Sequence, residues 1–249
     1  MKVYNMTFLV FTITMIVLSG IFRKPRKECS FSFTETLSLR GVCALLIMLH
    51  HISQYLTTGV PDSIPVRVLA EFTSWGIPVV GIFFFMSGFG LIKSYIRKKD
   101  AYIDGFLQHR LGRIVLPCVL CMVFDASLIG GGNWCSPDHW WFIIAIVYEY
   151  LSFYINVLIF KQVRYVVLMQ SINTLAYICL MICLGFSEYW YYSIPCVNVG
   201  MYFALFEGKI IKKFSVYPRM SMALLFPSFA AVCTINSIKV VKYRQISAK

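Results

Sequence analysis

Apolar segments long enough to cross a membrane recur along the whole chain. A spanning helix needs roughly 20 mostly apolar residues, and eight segments approach that length. Five are almost uninterrupted, at residues 6–22, 75–92, 140–160, 163–185 and 220–238. Three contain polar residues or Pro and Gly breaks, at residues 37–56, 114–131 and 190–208. The pattern predicts an all-α, polytopic transmembrane helix bundle of about eight spans.

The composition agrees with this pattern and excludes an ordinary soluble domain. Hydrophobic residues make up 59% of the 249 positions and charged residues 14%, whereas soluble chains carry about 25% charged residues. The net charge of +12 comes from 23 Lys and Arg against 11 Asp and Glu. Basic loops that orient a membrane protein account for such an excess, and the basic and aromatic residues are not interleaved as single-stranded nucleic acid requires. We expect a lipid bilayer and no nucleic-acid partner.

The distribution of Lys and Arg between loops predicts the orientation of the chain. Basic residues cluster in alternate loops, at residues 23–27, 97–113, 161–164 and 209–219. The intervening loops, at residues 57–74, 132–139 and 186–189, contain no Lys or Arg except Arg67. Because basic loops stay in the cytoplasm, the first segment is expected to be an anchor with its N-terminus outside. The basic tail at residues 239–249 breaks the alternation, so either one segment does not span or the chain stops before its last helices.

The nine cysteines indicate neither a disulfide framework nor a metal site. Most of them lie inside apolar runs, where Cys behaves as a small hydrophobic residue. Cys118 and Cys121 have the spacing of metal ligands, but no second Cys pair or His pair completes a site. We therefore expect no bound metal ion.

Arg40 and His51 are the most informative ionisable residues inside the predicted spans. They are separated by almost three whole helical turns, so both side chains lie on one helix face, roughly 16 Å apart along the axis. His50 points roughly 100° away from that face. Ionisable groups within a membrane are candidates for function. The alternative is that Arg40 anchors the helix at the membrane surface and that His51 is a packing residue.

Four further charged residues lie in or beside apolar segments. Asp125 and Glu149 fall inside apolar runs, where a carboxylate could orient an imidazole, accept a proton or pair with a Lys or Arg. Arg110 and Arg113, spaced i and i+3, share one face of a helix start on the predicted cytoplasmic side. Two guanidinium groups in this arrangement can bind a phosphate, although basic helix ends at the inner surface are common.

Four stretches of the chain form an ordered set of motifs. Residues 39–51 contain an Arg and a His with ten residues between them, and residues 83–89 read FFFMSGF. Residues 106–117 contain Arg-x-x-Arg followed by Pro, and residues 139–142 read HWWF before an aromatic stretch at residues 148–154. In this order the motifs resemble the acyltransferase family 3 of polytopic membrane acyltransferases. The resemblance covers residues 33–208.

The resemblance implies an enzyme that moves an acyl group, usually acetyl, from cytoplasmic acyl-coenzyme A to a hydroxyl of a cell-envelope or surface carbohydrate. It implies that His51 is the catalytic residue and that Arg40, Arg110 and Arg113 lie on the coenzyme A side. An imidazole suits proton transfer near neutral pH. The expected site is a transmembrane cavity that the nucleotide enters from inside and the sugar from outside. The expected location is the plasma or inner membrane, crossed several times.

The whole chain, residues 1–249, is expected to form a single membrane domain. Residues 1–28 would add an anchor helix and a basic loop to the acyltransferase-like core at residues 33–208, and residues 209–249 would supply a last helix and the basic tail. The resemblance implies about ten spans, so the chain is expected to be shorter at its C-terminus than the family pattern. An inactive or truncated relative, or a small-solute transporter lined by Arg40 and His51, remains an alternative.

Overall fold

A computed structural model describes residues 33–57, 71–128 and 137–216 of the chain. Short 3-10 helices in these ranges lie at Glu71–Ser74, Lys99–Tyr102 and Glu188–Trp190. The predicted spans at residues 6–22 and 220–238, the anchor at residues 1–28, the basic tail and the side chain of Asp125 lie outside the described part. The described α-helices are α1 (Phe33–Thr57), α2 (Gly76–Lys98), α3 (Phe106–Leu128), α4 (Pro137–Ile159), α5 (Val163–Cys183) and α6 (Pro195–Val216).

The described residues are helical, as the sequence predicts, and they contain no strand. Three of their helices are long and apolar enough to cross a membrane: α2, α4 between Trp140 and Ile159, and α5. They coincide with three of the predicted spans that are almost uninterrupted. The all-α class is thus confirmed over the described ranges, and the count of about eight spans stays a prediction.

Two further predicted segments lie in helices whose first residues differ from those of the segments. The segment at 114–131 belongs to α3, which begins earlier, at Phe106, and continues through Pro117. In the segment predicted at 190–208, Trp190 ends a 3-10 helix, in which it is buried, and α6 begins at Pro195. Proline favours the first turn of a helix, where its missing N–H would have no partner in any case. Hydropathy therefore predicts where an apolar segment lies, whereas the first and last residues of the helix depend on local signals such as proline.

Helices α4 and α5 form an antiparallel hairpin joined by residues 160–162. The Phe160 N–H donates to the Asn156 carbonyl at 2.8 Å, which extends the last turn of α4. The N–H of Val166 donates to the Gln162 carbonyl at 3.1 Å at the start of α5. One face of α5 is buried, as expected from helical spacing, at Val166, Val167, Gln170, Thr174, Tyr177 and Met181.

The chain divides into two compact units, Met1–Val79 together with Glu207–Lys249, and Val80–Phe206. In the first unit, α1 packs against the 3-10 helix Glu71–Ser74. Next to this contact, the rings of Phe72 and Trp75 lie 5.2 Å apart and Trp75 is buried. This packing fixes the surroundings of the second half of α1. The expectation of a single membrane domain stays a prediction.

In the second unit, two glycines allow α2 and α6 to approach each other backbone to backbone. A methyl group on Gly88 of α2 would overlap the Val197 carbonyl, and one on Gly200 of α6 would overlap the Phe85 carbonyl. The Phe203 ring lies beside this contact, 5.6 Å from the Phe85 ring. Small residues let membrane helices gain van der Waals contact along their backbones. Gly88, within the FFFMSGF segment, therefore has a packing role.

We expect Gly200→Ala to lower the free energy of unfolding by about 1–3 kcal/mol, because the added methyl overpacks the contact between α2 and α6. Gly208→Ala is a matched control on the same helix, since a methyl there meets no described atom within 4 Å. Ala favours a helix over Gly by about 1 kcal/mol. Thermal unfolding in detergent micelles measures both variants, and equal stability of the two would contradict the close contact.

Candidate active site

Helix α1 carries Arg40 and His51 on one continuous helical surface. Both lie within Phe33–Thr57, so the predicted spacing of roughly 16 Å along the axis holds in the structure. The Arg40 side chain is half-buried, and the His51 side chain is exposed. In the described part of the chain, no hydrogen bond engages the His51 imidazole. An exposed imidazole of this kind can accept a proton from a ligand that reaches it.

His50, the neighbour of His51 in the chain, is held by the next element. Its Nδ1 lies 3.0 Å from the carbonyl oxygen of Phe72, in the 3-10 helix Glu71–Ser74. Because a carbonyl oxygen can only accept, Nδ1 carries the hydrogen, and Nε2 of the neutral ring carries none. The Nε2 edge packs over Gly76, where a methyl group would overlap the ring. Gly76 is therefore required for this position of the His50 ring.

The two adjacent imidazoles thus have different surroundings. Their ring centres are 5.1 Å apart and their planes are inclined by 56°. The helical step of about 100° turns His50 toward Phe72 and His51 away from it. The sequence predicts this divergence, but it does not predict Phe72 as the partner of His50. The signal that could have found the contact is Gly76, a residue without a side chain at the start of the following helix.

Arg110, near the start of α3, is held by two hydroxyl groups. Its Nε donates to the Tyr102 hydroxyl at 3.1 Å, and its Nη2 donates to Ser94 Oγ at 3.4 Å. The guanidinium carbon lies 5.8 Å from the centre of the Tyr102 ring, within the range of a cation–π interaction. The sequence selects Arg110 but neither hydroxyl, because Tyr102 and Ser94 precede the residue on other elements and belong to no recognisable spacing.

A turn at Gly105 and a row of aromatic rings fix Tyr102 beside Arg110. Gly105 has a φ of 74°, in the left-handed region that favours glycine. The Tyr102 ring meets the Phe106 ring edge-on at 5.3 Å. Phe106 is 2% exposed, and its ring stacks on that of Tyr154 in α4 at 5.9 Å. The hydroxyl that holds the guanidinium is therefore anchored in the core of the second unit.

Arg113 lies one turn after Arg110 on α3 and is exposed. The two residues share a helix face, as their spacing predicts. Arg40 and His51 belong to the first unit, and Arg110 and Arg113 belong to the second. The structure therefore describes two pairs of candidate residues, each on its own helix. A single cavity lined by all four stays a prediction.

Glu149 of α4 is buried and is bonded to uncharged groups of α5. Its Oε2 accepts from Gln170 Nε2 at 2.6 Å, and its Oε1 accepts from the Thr174 hydroxyl at 2.7 Å. The Gln170 amide also bonds to Ser152 and Asn156, so the network crosses the hairpin several times. Among the described residues, Glu149 has neither the imidazole nor the basic partner that the sequence suggested. The network connects α4 to α5 in a setting where hydrogen bonds hold helices together.

Comparison with protein families accounts for most of the chain. A family model described as an acyltransferase domain matches residues 38–242. The matched range contains the Arg and His of α1 and both Arg residues of α3, and it agrees with the motifs in the sequence. Comparison with curated proteins gives no match, and neither does comparison with solved structures.

We expect the His50→Asn variant to be more stable than the His50→Gln variant. The side-chain N–H of Asn lies where Nδ1–H lies in His and can still donate to the Phe72 carbonyl, whereas the side-chain N–H of Gln lies where Nε2–H would lie. Loss of the bond to the Phe72 carbonyl would cost about 1–3 kcal/mol if that oxygen stays unpaired. Helix propensity alone would make the Gln variant the more stable of the two. A more stable Asn variant would therefore point to the hydrogen bond. Thermal unfolding of both variants and of His50→Ala tests this order. A His50→Gln variant as stable as wild type would refute the contact.

Proposed function

Since the chain belongs to acyltransferase family 3, whose domain model covers residues 38–242, we propose that it transfers an acyl group from acyl-coenzyme A to a carbohydrate hydroxyl. The proposed donor is acetyl-coenzyme A on the cytoplasmic side. The proposed acceptor is a glycan of the cell envelope or surface. The observation that carries the proposal is the exposed imidazole of His51, which has no hydrogen bond from a described residue, beside the bonded imidazole of His50.

His51 supplies the general base in the proposed reaction. Its imidazole accepts the proton of the acceptor hydroxyl while the hydroxyl oxygen attacks the carbonyl carbon of the thioester. A C–O ester bond forms and the C–S bond breaks. The proton then passes from the imidazolium to the departing sulfur, so coenzyme A leaves as the thiol and the imidazole is restored. A positioned base of this kind contributes about 10²–10⁴-fold to the rate.

The surroundings of His50 support the choice of His51 over its neighbour. The Nδ1 hydrogen of His50 is engaged by the Phe72 carbonyl, and the Nε2 edge is covered by Gly76. A base must bring an unprotonated nitrogen within hydrogen-bond distance of the reacting hydroxyl. The His50 ring is half-buried and uses its Nδ1 hydrogen on Phe72, whereas the His51 ring is exposed and has the more accessible nitrogens.

Arg40, Arg110 and Arg113 are the proposed ligands of the donor phosphates. Guanidinium groups bind phosphate oxygens through two parallel hydrogen bonds and keep their charge at every physiological pH. All three lie in the first three turns of their helices, near the ends that the distribution of basic loops assigns to the cytoplasmic side. That side supplies acyl-coenzyme A, so the assignment of the three arginines agrees with the proposed donor.

The proposed location is the plasma or inner membrane. The three apolar helices α2, α4 and α5 support a bilayer environment. A cytoplasmic donor and an envelope acceptor meet at the membrane that separates their compartments. The chain would cross that membrane several times and carry the acyl group from one side toward the other.

We expect His51→Ala to slow acyl transfer by about 10²–10⁴-fold, because the acceptor hydroxyl loses its base. The measurement is the transfer of label from radiolabelled acetyl-coenzyme A to envelope glycans by protein in reconstituted membranes. His109→Ala removes another exposed imidazole and should leave the rate unchanged. Binding of coenzyme A should persist in both variants.

Two outcomes of this experiment would overturn parts of the proposal. Full transfer by His51→Ala, together with loss of transfer by Arg40→Ala, would show that His51 is not the base. A wild-type protein that binds coenzyme A but transfers no label to glycan or to water would instead identify an inactive relative.

A further inference from the structure

Two hydroxyl groups hold the guanidinium of Arg110 along one of its edges. The Tyr102 hydroxyl accepts the Nε hydrogen at 3.1 Å, and Ser94 Oγ accepts an Nη2 hydrogen at 3.4 Å. A separation of 3.4 Å is near the long limit for a hydrogen bond. Tyr102 is therefore the stronger of the two partners.

The adjacent edge of the guanidinium, between Nη1 and Nη2, keeps its hydrogen-bond donors. A guanidinium presents N–H groups on Nε, Nη1 and Nη2 in a planar fork. The contacts with Tyr102 and Ser94 use Nε and one hydrogen of Nη2, and no described residue bonds to Nη1 of Arg110. The remaining Nη1 and Nη2 hydrogens point away from Tyr102 side by side. This arrangement matches two oxygens of one phosphate group.

Tyr102 holds the cation without neutralising it. Burial raises the pKa of Tyr102 above its usual value of 10.0, and the charge of Arg110 opposes that shift only in part. The phenol is therefore uncharged at neutral pH. A carboxylate in the same place would offset the positive charge and weaken the attraction for an anion. An uncharged hydroxyl orients the guanidinium and leaves its charge for a ligand.

We propose that Tyr102 and Ser94 are positioning residues that hold Arg110 in a preoriented state for a phosphate group of the acyl-coenzyme A donor. This inference rests on the proposed function. Because Tyr102 is also packed against Phe106, the orientation of the guanidinium is built into the fold before the donor arrives. A preoriented ligand side chain loses less conformational freedom on binding than a mobile one does.

Tyr102→Phe isolates the hydroxyl, since the ring and its cation–π contact remain. We expect this variant to raise the KM for acetyl-coenzyme A about three- to tenfold, as the loss of one hydrogen bond implies, while kcat stays unchanged. Ser94→Ala should have a smaller effect because its contact is longer. Tyr95→Phe is the matched control, since it removes a hydroxyl that donates to the Lys161 carbonyl, whereas the Arg110 guanidinium bonds to Tyr102 and Ser94. Tyr95→Phe should leave KM unchanged.

A double-mutant cycle separates positioning from general stability. Arg110→Ala should weaken binding of coenzyme A to the purified protein, and adding Tyr102→Phe to Arg110→Ala should weaken it no further. Residues that act through one another lose their separate effects in this way. Equal effects of Tyr102→Phe with and without the Arg110 side chain would overturn the positioning role. Thermal unfolding of each variant shows whether the compared proteins are equally folded.

Lipid headgroups carry the same phosphate chemistry, so binding is measured in a phosphate-free detergent and again with added phosphatidylglycerol. We expect the difference between wild type and Tyr102→Phe to appear without lipid. A difference that appears only with the anionic lipid would assign the guanidinium to a headgroup and overturn the inference. If Arg110→Ala binds coenzyme A as well as wild type does, the donor assignment in the proposed function fails. If Arg110→Ala binds weakly but Tyr102→Phe binds normally, the positioning role alone fails.

Discussion

Hydrogen bonding of polar side chains on apolar helices is the constraint on which the described structure depends. An unpaired polar group in lipid costs several kcal/mol, so such a side chain needs partners from a neighbouring element. Glu149 finds them in Gln170 and Thr174 across the α4–α5 hairpin. His50 finds the Phe72 carbonyl at the start of the next element. The few polar residues of these helices therefore also decide which helices and turns meet.

The same constraint distinguishes supporting residues from reactive ones. His50 is half-buried and bonded, and it fixes α1 against its neighbour, whereas His51, about 100° around the helix, remains exposed. Arg110 combines both states, because Tyr102 and Ser94 hold one edge of its guanidinium and the other edge keeps its donors. Of the groups used in the proposed reaction, Arg110 is the one that described neighbours orient without using all of its donors. Catalysis and binding depend on such preorganised groups.

Hydropathy predicts the helices. Periodicity predicts that Arg40 and His51 share one helix face and that Arg110 and Arg113 share another. These features are local, so spacing along one helix determines them. The partners of these residues are not local. Tyr102 lies in a turn whose path depends on the positive φ of Gly105, and the Phe72 carbonyl is a backbone atom that no sequence pattern distinguishes. The start of α6 at Pro195, by contrast, agrees with a local signal, the preference of proline for the first turn of a helix.

The central claim is that, of the two adjacent imidazoles, His51 is the one that performs acyl transfer. Carbethoxylation of the histidines, followed by mass spectrometry and by an acyl-transfer assay on the same samples, tests this claim directly. We expect transfer activity to fall in step with modification of His51, while His50, half-buried beside Gly76 and bonded to Phe72, reacts more slowly. Full activity after complete modification of His51, or faster modification of His50, would contradict it.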